Sequence, residues 1–390
     1  MNQNPGYGQS AAGSGQFTDT SAFSQPAELT PELQQRLKDP FDNPTEYHKY
    51  SDDYSKVLPW LKLPEYKIPF EPARTEKQML KRSYSIGGAC VLLNFLSVSI
   101  AAVILMLAIG AVIKAINPSV SFDDIENYFT SSSLMVSLNM LLYLLANVLF
   151  AKVGLKWAKL SSQPMLKPEN GFNWKYAFQY CLIGLFLWIV SAVLATGAEY
   201  ILDALEWSVS PPDIEEDLNT PLGIVITTVY SCIIAPITEE IFYRGMVMKV
   251  LSKSSQRFAI FASAMFFGLG HGNVAQFILA FLLGIFMAHI DLKHNSILPS
   301  IIVHMFINTF VTITNALSDN ATISGIWFLA IIVGAIIGFV LLIVFRRNDK
   351  LPATTPAQTR RGFAVAKNSV AFIASVIVLS VVMVINTIAS

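Results

Sequence analysis

The chain has 390 residues, of which 53% are hydrophobic and only 14% charged, and its mean hydropathy is +0.50. Soluble globular chains carry about 25% charged residues, so roughly half that share, with long apolar runs, indicates a multi-spanning membrane protein and excludes a secreted disulfide domain or a soluble nucleic-acid binder. Lys+Arg and Asp+Glu balance at 27 each, so net charge points to no partner. The three cysteines, Cys90, Cys181 and Cys232, lie in apolar stretches without a CxxC pair. They read as small buried hydrophobes, with neither a disulfide framework nor a cysteine-ligated zinc site.

Residues 1–26 are rich in Gly, Ser, Gln, Asn and Thr and nearly free of aliphatics, a composition that cannot offset the entropy of ordering. Residues 29–82 are polar and punctuated by proline. Within them Val57–Tyr66 carries Trp60 and Tyr66, which suit either a membrane interface or a loop. No apolar run precedes residue 86, so no cleavable signal peptide is expected. From there, apolar segments predict helices at 86–113, 133–151, 176–198, 221–251, 257–271, 273–290, 296–316, 324–345 and 364–387. A spanning helix needs about 20 residues. The expected fold is therefore all-α, a polytopic bundle of about nine transmembrane helices behind a disordered amino-terminal tail. The tail is 1–82, the first two spans lie in 83–174, a core occupies 175–316 and the last two spans lie in 317–390. The segment 221–251 carries charges and 257–271 is short, features that line cavities more often than they face lipid.

Loop charge gives an orientation. Arg74, Lys77, Lys81 and Arg82 precede the first helix. Lys152, Lys156, Lys159, Lys167 and Lys175 fill the second connection. Lys249, Lys253 and Arg257 follow the fourth helix, and Arg346, Arg347, Lys350, Arg360 and Arg361 fill the last loop. Alternate loops carry Asp123, Asp124 and Glu126, or Glu199, Asp203, Glu206, Asp213, Glu215, Glu216 and Asp217. The positive-inside rule places the amino terminus in the cytoplasm and the carboxyl terminus outside.

A charge at the bilayer centre costs roughly 2.5–3.5 kcal/mol on insertion scales, so ionisable residues within apolar helices are where chemistry is sought. In Glu239-Glu240-Ile-Phe-Tyr-Arg244, Glu240 stands four residues before Arg244, the favoured order for a helical ion pair. Glu239 points about 100° away and has no such local partner. An ordinary charge cluster at a helix end is the alternative. His304 and Asn308, four apart, share one helical face; alone they would equally serve as interhelical hydrogen bonds. Phe267-Gly-Leu-Gly-His271 sets a histidine where small residues permit close approach, or simply at a helix end. His289 and His294 flank a short loop and read as interfacial. Together, a carboxylate and a histidine can activate water, while a histidine and an asparagine can stabilise an oxyanion. That set suffices for peptide hydrolysis without a nucleophilic Ser or Cys. Two histidines and a carboxylate (Glu239, His271 and His304) are also a plausible zinc set, although no HExxH is present.

Residues 239–245, Glu-Glu-Ile-Phe-Tyr-Arg-Gly, resemble the EExxxR motif of the CPBP family of CAAX proteases and bacteriocin-processing or immunity proteins. Phe267–His271 resembles its FxxxH motif and His304–Asn308 its HxxxN motif; Gly284–Ala288 and Asn295–His304 share the family's look. The resemblance covers about residues 175–316, with no departure at these positions. It implies an intramembrane glutamate-type endopeptidase related to the type II CAAX prenyl protease. Glu239 and His271 would activate water, His304 and Asn308 would form the oxyanion hole, and Glu240 with Arg244 would be a structural pair. No cofactor is expected, with zinc as the alternative. The partners are a lipid bilayer and a peptide or membrane-protein substrate, with no nucleic acid. A non-hydrolytic immunity factor or scaffold, and a transporter using Glu and His as a proton relay, are the competing classes; no inverted repeat of the motifs supports the last. The polar tail and lack of an organelle signal point to a bacterial plasma membrane.

Overall fold

The computed structural model describes residues 72–131, 133–160, 166–168, 171–204, 221–252, 255–348 and 356–389. The expected disorder of 1–26, the Val57–Tyr66 stretch and the acidic run from Glu206 to Asp217 lie outside the described residues. Every described element is helical: α1 (Pro72–Ile116), α2 (Phe122–Ser131), α3 (Ser133–Trp157), α4 (Trp174–Asp203), α5 (Pro221–Leu251), α6 (Gln256–Leu269), α7 (Val274–His294), α8 (Leu298–Ala316), α9 (Ala321–Asn348), α10 (Pro356–Ala366) and α11 (Val370–Ala389). Eight are long and apolar enough to cross a membrane. The ninth expected helix is α6, whose 14 residues span about 21 Å at 1.5 Å per residue, short of a hydrocarbon core of about 30 Å. It follows α5 closely and turns straight into α7 through the residues that carry His271.

Three boundaries differ from expectation. α1 begins at Pro72, inside the polar segment assigned to the tail, because proline suits a helix's first turn and the run after it holds no breaker. The acidic loop after α1 contains α2. There Ser121 Oγ accepts from Asp124 N–H at 3.0 Å, while Asp124 Oδ2 accepts from Ser121 N–H at 3.0 Å and from its hydroxyl at 2.6 Å. This reciprocal cap starts the helix and holds the exposed Asp124 carboxyl below its ordinary range. The segment expected as one helix at 364–387 is divided between α10 and α11 around Ser369. Side-chain caps open four other helices: Asn173 accepts from Tyr176 N–H, Ser255 from Phe258 N–H, Asn273 from Gln276 N–H and Asn320 from Ile323 N–H, each satisfying a donor that the first turn leaves free.

α5 is not a uniform α-helix. Tyr230–Ile234 and Tyr243–Met248 are π-helical and bracket the α-helical turns Ala235–Phe242, which carry Glu239 and Glu240. Its last turns, from Arg244 to Leu251, are buried, and Phe242, Met246, Val247, Met248, Val250 and Leu251 have no exposed surface. Around it, α6 and α7 form a hairpin, α4 packs on α7 and α9, and α1 packs on α3 and α11. Ile100, Val103, Ile104 and Leu107 of α1 are more than half exposed, as suits a lipid-facing surface. All three cysteines are buried and free.

Candidate active site

The site is built on α5, where four charged or imidazole groups converge. Arg244 Nε lies 3.2 Å from Glu240 Oε2 and Nη1 donates to Oε1 at 3.2 Å, both side chains being fully buried. Arg244 Nη2 also donates to the Gly284 carbonyl at 3.4 Å. A Cβ on Gly284 would stand 3.0 Å from that nitrogen, so the glycine lets the guanidinium reach α7. Stacked over the Phe267 ring at 4.4 Å, the guanidinium gains a cation–π contact in a desolvated setting.

His304 links both carboxylates. Its Nδ1 is 2.8 Å from Glu240 Oε1 and its Nε2 is 3.8 Å from Glu239 Oε2. Helical spacing pairs Glu240 with Arg244; beyond that pair, one imidazole spans the roughly 100° between consecutive helical side chains, contacting Glu240 directly and facing Glu239 beyond hydrogen-bond length. That gap is short enough for one water to bond both groups.

His271 sits in the turn after α6, with Nδ1 2.9 Å from the Phe267 carbonyl. Phe267 is the hub of the arrangement, its ring edge-on to His271 at 5.1 Å and to His304 at 5.4 Å. The turn is held from the far end of the chain, where Asn386 Nδ2 donates to the Gly272 carbonyl at 3.1 Å. Asn308 Nδ2 donates to the Ser231 carbonyl at 2.8 Å, within the first π segment, whose wider turn frees carbonyls for outside donors.

Glu239 and His271 open onto one cavity of about 320 Å³, which neither His304 nor Asn308 lines. Glu239 keeps 24% of its side-chain surface exposed while Glu240 keeps none. The cavity wall also includes Tyr230 and Tyr243 of α5, Asn139 and Tyr143 of α3, and Gln276 of α7. Sequence reading passed over these residues. Their only signal was polar side chains recurring at helical spacing in apolar segments. The Nδ1 of each histidine is engaged, by Glu240 for His304 and by the Phe267 carbonyl for His271, which leaves each Nε2 available; among the described residues no three His, Cys, Asp or Glu side chains are grouped to hold a metal ion.

Two buried polar residues brace the end of α7. His294 is fully buried: its Nε2 lies 2.7 Å from the Tyr180 hydroxyl and Phe172 packs edge-on at 5.1 Å. Its neighbour Asp291, also fully buried, accepts from the Ser300 N–H at 3.0 Å and so caps the first turn of α8, the helix that delivers His304.

Residues 221–310 match the family described as Type II CAAX prenyl endopeptidase Rce1-like. Over 135 residues the chain is 25% identical to the Bacillus subtilis (strain 168) protein named "Putative membrane peptidase YdiL"; the alignment covers 34% of this chain and 54% of that protein. The chain thus spans about half the length of that curated relative. No solved structure matches. All three motifs fall within the matched residues, which supports the CAAX-protease family resemblance, while α4 and the helices α1, α3, α9 and α11 lie outside them.

Proposed function

We propose, with residues 221–310 taken as a CAAX-protease family segment, that this multi-pass membrane protein is an intramembrane endopeptidase acting on membrane-associated proteins or peptides. One observation carries the reading. Of two adjacent carboxylates, Glu240 is sealed between Arg244 and His304, whereas Glu239 opens onto a cavity shared with His271. A buried, paired carboxylate is architecture. A partly exposed one beside an imidazole is placed to take a proton from water.

In this mechanism Glu239, assisted by His271, removes a proton from a water in the cavity as its oxygen attacks the scissile carbonyl carbon. Arg244 and His304 hold Glu240 in place, and the Glu240 contact at Nδ1 turns His304 Nε2 toward Glu239. His304 donates from Nε2 to the oxyanion, and Asn308 adds the amide hydrogen that Ser231 does not take. Glu239 returns its proton to the leaving amine as the C–N bond breaks, regenerating the carboxylate. No step requires a metal, so activity should survive exhaustive chelation; loss with metal-specific rescue would instead support the zinc alternative.

The orientation belongs to the same proposal. Lys152, Lys156 and Lys159 at the end of α3 and Arg346 and Arg347 at the end of α9 face the cytoplasm of a bacterial plasma membrane, as does the amino terminus, and acidic α2 faces outside. Cysteine-accessibility labelling at Lys159 and Asn117 should report opposite sides. The functional test compares membrane peptides from cells producing wild type or Glu239→Gln. New cleavage termini confined to wild type are expected, and identical termini in both would overturn the protease reading.

A further inference from the structure

The cavity holding Glu239 and His271 owes one wall to a helix outside residues 221–310. α3 contributes Val136, Asn139, Met140, Tyr143 and Asn147, positions separated by three or four that share one helical face. Asn147 is committed to structure, its Oδ1 accepting from Asn94 Nδ2 at 3.0 Å and tying α3 to α1. The Asn139 carboxamide and the Tyr143 hydroxyl line the cavity yet make no hydrogen bond among the described residues. Gln276, across the cavity in the first turn of α7, is in the same position. Polar groups on an apolar membrane helix are costly without partners, and those turned to a cavity mark a ligand path.

We infer that Asn139 and Tyr143 bind the backbone of an extended, unlipidated polypeptide segment and lay it against Glu239; the inference rests on the protease reading above. The two residues are one helical turn apart, about 6 Å of rise. Two residues of extended chain advance about 6.6 Å, so the pair meets peptide groups of alternate residues, which face the same side. A carboxamide and a phenol each donate and accept, the complement of a peptide group's N–H and C=O. An isoprenyl chain offers neither and would leave Asn139, Tyr143 and Tyr230 unpaired, the condition by which polar sites reject analogues that lack hydrogen-bonding groups.

The test uses the full-length Glu239→Gln protein, which binds without turnover. Two pools of short peptides with randomised cores serve as probes, one unlipidated and one carrying a farnesylated cysteine. Asn139→Leu and Tyr143→Phe are each expected to weaken binding of the unlipidated pool about tenfold, the worth of one hydrogen bond, with thermal unfolding unchanged. The farnesylated pool should bind no tighter. Backbone N-methylation of the peptides should cost affinity when Asn139 is present and nothing more in Asn139→Leu. Tyr143→Phe removes a single oxygen and keeps the test open should Asn139→Leu fold poorly. Unchanged affinity in both variants, tighter binding of the farnesylated pool, or no peptide binding at all would overturn the inference. If wild type cleaves neither pool while binding still depends on Asn139, the hydrolytic reading fails and the assignment of the wall stands.

Discussion

The helices that carry the motifs and the helices that surround them are held by different forces. In the most apolar stretches of α7 and α8, 44% and 39% of residues are buried, against 11% and 17% in α1 and α3. The inner helices meet through buried charges and hydrogen bonds: Glu240 to Arg244 and His304, Asp291 to Ser300. The outer helices expose broad apolar faces and meet through close backbone approach and neutral hydrogen bonds such as Asn94 to Asn147; a Cβ on Gly338 of α9 would collide with the Leu182 carbonyl of α4. Lipid removes the hydrophobic drive between helices, leaving packing and hydrogen bonds to hold them. The outer helices still serve the site, because α3 walls the cavity and α11 holds the His271 turn.

The largest expected effect lies at the buried pair. Glu240→Gln leaves Arg244 without its counter-charge and should cost about 3–5 kcal/mol in thermal unfolding in detergent. Arg244→Met should cost as much, and the double change should recover part of the loss; an unchanged Glu240→Gln would remove the distinction between inner and outer helices. Next comes Gly338→Leu, which forces α9 off α4 and should cost about 1–3 kcal/mol. Gly325, with nothing within 4 Å of a Cβ, is the control, and Gly325→Leu should stay within about 0.5 kcal/mol. Asn386→Leu should cost about 0.5–1.5 kcal/mol but lower turnover further than that loss explains, because the His271 turn loses its tether; turnover per folded molecule checks it. Smallest is the Asn94–Asn147 bond. A double-mutant cycle with leucine at both positions should give a coupling of about 0.6 kcal/mol, the membrane average.

Apolar runs made the helices legible, and the order of charged and imidazole groups made the site residues legible. What stayed hidden has physical causes. The two π segments of α5 carry no compositional mark, since an extra residue in a turn depends on what packs beside it. The Glu240–His304 contact joins residues 64 apart, and helical spacing speaks only of neighbours a turn or two away. His294 reads as interfacial because it flanks a short loop, and the contact with the Tyr180 hydroxyl on α4, 114 residues away, has no mark in the local sequence. α2 hid in an acidic loop because its cap, Ser121 with Asp124, is short and sits among charges.

The central claim is the division between Glu239, which works, and Glu240, which holds. Turnover per folded molecule of Glu239→Gln, measured beside its thermal unfolding and that of Glu240→Gln, tests it most directly. Glu239→Gln is predicted to unfold like wild type while turnover falls about 10²-fold or more, the scale of losing a general base, and Glu240→Gln to unfold early. Near-normal turnover in Glu239→Gln, with a fully folded but inactive Glu240→Gln, would contradict the account and exchange the two roles.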